Sequence, residues 1–116
     1  MGHGAYTIYP VILASNTTLT PAVDLSRAWG SAFLHIPSGT SNTQYWVHAA
    51  PTLAGAYCRI SQAPINSSTV GINDFTIHTA ATGRVVPIPN GVRFVKLETS
   101  GPVSNGATYN ILVADF

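Results

Sequence analysis

The side chains able to carry chemistry are few and scattered. Asp24, Asp74, Glu98 and Asp115 are the only side-chain acids, so a paired-carboxylate site would use half of them. His35, His48 and His78 each fall in a strand-like run, where a three-histidine metal site is sterically conceivable. None of them shows the pair spacing of metal ligands. Serines abound, yet the chain has no Gly-x-Ser-x-Gly elbow, no His-Glu-x-x-His pair and no phosphate-binding loop. Cys58, the single cysteine, excludes an intrachain disulfide and every cysteine-cluster zinc motif, and it reads as a small buried hydrophobe. The expectation is a protein that is not an enzyme and holds no cofactor.

Binding is the remaining kind of work, and composition narrows the partners. Arg27, Arg59, Arg84, Arg93 and Lys96 are dispersed and the net charge is +1, whereas phosphate recognition needs a concentrated basic face. Nucleic acid is therefore not expected. Polar residues or prolines interrupt every apolar stretch before membrane-spanning length, and the start Met1 to Tyr6 lacks the basic and apolar regions of a signal peptide. A soluble protein made in a cytoplasm is expected, so the acceptor-like triplets at Asn16 and Asn66 are not read as glycosylation sites. Hydrophobic residues make up 46% of the chain and charged ones 8%, against about 25% charged in ordinary soluble domains. Depletion of charge marks the core of protein interfaces, which points to a homo-oligomeric subunit with much of its surface covered.

The elements that must position these residues read as strands. Runs rich in Val, Ile, Thr, Tyr and Phe recur between Gly, Pro, Asn and Ser clusters. They span Tyr6 to Leu13, Leu19 to Leu25, Ala32 to Ile36, Thr43 to Ala49, Tyr57 to Ser61, Phe75 to Thr79, Arg84 to Ile88, Val92 to Leu97 and Thr108 to Ala114. Pro10 suits an edge strand. Alternation puts Tyr45, Val47 and Ala49 on one face of their strand and Trp46 and His48 on the other. Phe94, Val95 and Leu97 read as parts of a central strand, each placed so that substitution to Asp would unfold the domain. Thr20 to Trp29 is the one helix candidate, with Thr20 as cap and Pro21 at the first helical position. The long polar stretch Gln62 to Asn73 reads as a loop that is either functional or ordered only by a partner. The fold class is all-β: a single domain over 1–116, a two-sheet sandwich or jelly-roll-like barrel of about eight short strands.

Candidate partner-binding residues are Tyr6, Ile8, Tyr9, Trp29 and Trp46. The first three lie in 1–10, which reads either as an extended N-terminal arm able to add a strand to a neighbour or as an ordinary first strand. Trp29 and Trp46, with Tyr45, Tyr57 and Tyr109, form either a platform that stacks on sugar rings, as in a carbohydrate-binding module, or part of a core or oligomer interface.

One stretch resembles a known family. Arg84 to Val103, with Gly91-Val92-Arg93-Phe94-Val95-Lys96-Leu97 at its centre, followed by Ala107 to Ala114, is similar to the C-terminal half of tailed-phage capsid decoration, or cement, proteins. Upstream, Ala22-Val23-Asp24-Leu25 before a strand ending at Pro37, and Tyr45 to Ala49 before a strand near Tyr57, look similar too. The resemblance implies a jelly-roll-like homotrimer on the exterior of a virion capsid. Such a subunit is made in the host cytoplasm and stabilises the head by bridging copies of the major capsid protein.

Overall fold

A computed structural model describes residues 6–38, 44–60, 75–78 and 83–115. Among the described residues nine strands follow one another: β1 (Thr7–Leu13), β2 (Val23–Asp24), β3 (Ser31–Ile36), β4 (Gln44–Ala50), β5 (Cys58–Arg59), β6 (Thr76–His78), β7 (Arg84–Pro87), β8 (Phe94–Thr99) and β9 (Ala107–Ala114). They form two antiparallel sheets. The first has the order β1-β9-β3-β7 and the second the order β2-β8-β4-β5, with β6 also paired to β4. The chain crosses between sheets at six of the eight connections between these strands, and its first and last strands lie side by side, Thr7 opposite Val113 and Leu13 opposite Ala107. Among the described residues there is no helix, and so none long and apolar enough to cross a membrane.

The period-2 patterning explains the layering. Along β3, β4 and β8 every second residue is buried: Ala32, Leu34 and Ile36, then Tyr45 and Val47, then Val95, Leu97 and Thr99. Val11 and Leu13 of β1 and Tyr109, Ile111 and Val113 of β9 complete the inner face of the first sheet. The layers meet where the ring of Tyr45 packs edge to face on that of Tyr109, with centroids 5.5 Å apart, a favoured aromatic geometry. Gly106 turns the chain into β9 with φ +71°. A side chain there would stand 2.6 Å from the Leu13 carbonyl oxygen, so the close pairing of β1 with β9 requires glycine at this point.

Three expectations are corrected. Thr20 to Trp29 forms no helix, because 18–25 runs alongside β8 instead. The Thr20 N–H donates to the Leu97 carbonyl (2.9 Å) and the Leu25 N–H to that of Arg93 (2.8 Å). The buried Thr20 hydroxyl accepts the Leu97 N–H at 2.9 Å, and a positive φ of 75° at Ser26 breaks any helical run. Phe94 belongs to β8, which lies between β2 and β4, but strict alternation with buried Val95 and Leu97 turns it outward, where it is half-buried. Cys58 is exposed, because β5 is a two-residue strand paired only to β4. The stretch Gln62 to Asn73, like Asp74, lies outside the described residues.

Candidate interaction face

On the outer face of the second sheet, charge and aromatic rings are interlocked. β4 and β8 pair Trp46 with Glu98 and His48 with Lys96, while β4 and β5 pair His48 with Arg59. Glu98 is the hub. Its carboxylate accepts from His48 Nε2 (2.7 Å) and from Nε and Nη2 of Arg59 (each 2.8 Å). The Arg59 hydrogen bonds, foremost, hold the Glu98 carboxyl below its ordinary pKa; partial burial opposes them and the His48 bond adds to them. Because a carboxylate can only accept, His48 Nε2 carries a proton, and its Nδ1 is buried with no hydrogen-bond partner among the described residues. The Arg59 guanidinium lies 4.1 Å from the centre of the Trp46 ring and Lys96 Nζ 4.6 Å from that of Tyr57. Trp46 Nε1 also donates to Thr76 Oγ1, and the Tyr57 hydroxyl to the Leu53 carbonyl.

The outer face of the first sheet has a different chemistry. Its outward positions are Tyr6, Ile8, Pro10 and Ile12 on and before β1, Thr108, Asn110 and Leu112 on β9, Phe33 and His35 on β3, and Val85 and Pro87 on β7. Arg84 is the only charged residue in these four strands, and it occupies an inward register position opposite Ile36. Ile8, Ile12 and Val85 are 58%, 60% and 52% exposed, large values for such side chains. Between them, Ile8, His35, Val85, Asn110 and Leu112 line a shallow hollow of about 250 Å³. The Tyr6 ring packs edge to face on Phe33 beside it, 5.9 Å between centroids.

Both edges of this sheet are blunted. Ile88 N–H donates to the Ala32 carbonyl and Gly83 N–H to that of Ile36, so the even-numbered residues of β3 bond towards β7. Antiparallel alternation then directs its odd-numbered residues to β9, and the register carries the pattern on to β1. Outward-pointing backbone groups consequently belong to Ile8, Pro10 and Ile12 on one edge and to Val85 and Pro87 on the other. Each edge thus carries a proline where a free N–H would otherwise invite another strand.

Of the five candidate residues, only Tyr6 and Ile8 come together, on the outer face of the first sheet. Tyr9 turns the other way, half-buried against the core, with its hydroxyl 2.8 Å from that of Ser26. Trp29 lies between β2 and β3, its Nε1 donating to the Leu25 carbonyl and one ring face covered by Arg27 at 3.8 Å. Trp46 is on the second sheet beneath Arg59. Residues 7–10 pair with β9 of the same chain, and 1–5 lie outside the described residues. Of the two readings of the aromatic residues, no sugar-stacking platform is assembled: Tyr45 and Tyr109 are fully buried in the core, and Trp29, Trp46 and Tyr57 each carry a cation over one face. His35 and His48 occupy outer faces of different sheets, which excludes a shared ion; the side chain of His78 lies outside the described residues. Sequence reasoning missed Ile12, Phe33, Val85 and Leu112. The available signal was that β1, Thr-Ile-Tyr-Pro-Val-Ile-Leu, is apolar on both of its faces, whereas a one-sided strand alternates.

No protein family, no curated protein and no solved structure matches the chain.

Proposed function

We propose that this chain is a structural assembly protein, a decoration subunit of a tailed-phage head, which docks the outer face of its first sheet on neighbouring protein surfaces. The observation that carries this reading is the uncharged, apolar character of that face, four strands wide. Contiguous apolar surface of this kind marks interaction sites in water-soluble proteins. The assignment to a capsid exterior, with the major capsid protein as partner and a homotrimer assembled on the head as the working unit, rests on the resemblance of 84–114. No catalytic step belongs to this reading. Binding the assembled shell in preference to free subunits stabilises the shell by linkage, and repeated copies add avidity to a modest contact.

Co-sedimentation with heads assembled without this protein tests the proposal. Saturable binding at fixed stoichiometry, lost in Ile8→Asp and Ile12→Asp and retained in Lys96→Gln, is the expected result. Absence of head binding together with saturable retention by one member of a polysaccharide panel replaces it with a carbohydrate-binding function.

A further inference from the structure

We propose that in the free protein the outer face of the first sheet is covered by the same face of a second copy, forming a two-fold, face-to-face dimer. The inference rests on the reading of that face as the docking surface, and it names the first occupant. Three features favour an identical partner.

The first is charge. Two copies of this face bring no like charges together, because the outward positions of β1, β3, β7 and β9 carry none. The corresponding pairing of second-sheet faces sets Lys96 and Arg59 of each copy against those of the other, a repulsive arrangement. The second is the edges. Pro10 and Pro87 stand at the outward-pointing backbone positions, which disfavours the alternative self-pairing through a continuous sheet and leaves stacking of faces, as sheets pack within a sandwich. The third is relief. Ile8 and Val85 project at a hollow of about 250 Å³ and Ile12 stands farther along β1, so one copy supplies both the ridges and the depression that a second copy needs. Near its centre Asn110 stands opposite His35, and their side chains make no hydrogen bond to other described residues. An amide carries donor and acceptor together and can pair with its own copy.

Area sets the strength. Four strands about 4.8 Å apart and about seven residues of about 3.3 Å rise give a footprint near 440 Å². Two such footprints fall just short of the roughly 1,000 Å² expected of a specific interface. The dimer is therefore a weak one that dissociates on dilution, leaving the same face free for a larger partner.

Sedimentation velocity of the full chain between about 1 µM and about 1 mM, where weak contacts titrate, reads this out. The expected mass rises from the 12.2 kDa of one chain to twice that value. Ile12→Asp abolishes the rise, and so does Thr108→Arg, which alters an outward position that is already polar and exposed and so leaves the core intact. Lys96→Gln leaves it unchanged. A single-chain mass at every concentration, a trimer, or a dimer that persists in both first-sheet variants overturns the proposal. Heads that bind a strictly monomeric protein reject the self-pairing and leave the function standing; a dimer that binds no heads does the reverse.

Discussion

On the second sheet's outer face, Arg59 and His48 converge on Glu98, Arg59 covers Trp46, and Lys96 covers Tyr57. On the first sheet's outer face, Ile8, Ile12 and Val85 project from a surface without charge. A face whose charged groups meet carboxylate or ring partners within the chain has little to gain from further contact. Aliphatic side chains left half or more exposed on β1 and β7 gain free energy when something covers them, by about 25 cal/mol for each Å² removed from water. The same sandwich thus carries charged groups partnered within the chain on one outer face and uncharged, exposed aliphatic side chains on the other.

The sharpest way to break the comparison is to show that inside and outside do not differ. Val95→Asp and Leu97→Asp bury an unpaired charge between the sheets at a cost of several kcal/mol, comparable with the roughly 5–15 kcal/mol that holds a domain together. Both unfold the domain in circular dichroism. Phe94→Asp, one residue away and outward, leaves it folded. Thr20→Val comes next. It leaves the buried Leu97 N–H without the hydroxyl that accepts it, and urea titration shows a loss of about 1–3 kcal/mol.

A smaller effect sharpens the contrast between the outer faces. Glu98→Gln removes the charge that holds His48 and Arg59, and costs about 1–2 kcal/mol at neutral pH. Glu98 has its pKa lowered in the fold, so its contribution is complete above the ordinary glutamate value of about 4.3 and is lost as pH falls through the lowered value. Thermal unfolding at a series of pH values shows the wild type losing more stability than Glu98→Gln below about pH 4.3. The first sheet's outer face holds no acid, and Ile12→Asp changes stability least, by about 0.5 kcal/mol or less at neutral pH, although it abolishes association.

How much of this was legible follows from where the information lies. That Tyr45 and Val47 share one face of their strand, and Val95 and Leu97 one face of theirs, could be read from alternation alone, because period 2 is a local property of the chain. Pro10 also announced an edge, since a proline without its N–H can hardly stand elsewhere in a sheet. The outer face of the first sheet was not legible. Its residues come from four strands far apart in sequence, and only the order β1-β9-β3-β7 brings Ile8, Leu112, Phe33 and Pro87 into one row. The cations over Trp29 and Trp46 were hidden for a related reason. Arg27 is a near neighbour of Trp29, but Arg59 reaches Trp46 through the β4 to β5 pairing, and neither stacking can be read from spacing.

The central claim is that the first sheet's outer face is the working surface. Carbene footprinting of the protein free in dilute solution and bound to heads assembled without it tests this most directly, because it reports which side chains lose access to water. The account predicts protection of Tyr6, Ile8, Ile12, Val85 and Leu112, with labelling of Trp46, Tyr57 and Lys96 unchanged. Protection of Trp46, Tyr57 and Lys96 while Ile8, Ile12 and Val85 remain fully labelled contradicts it.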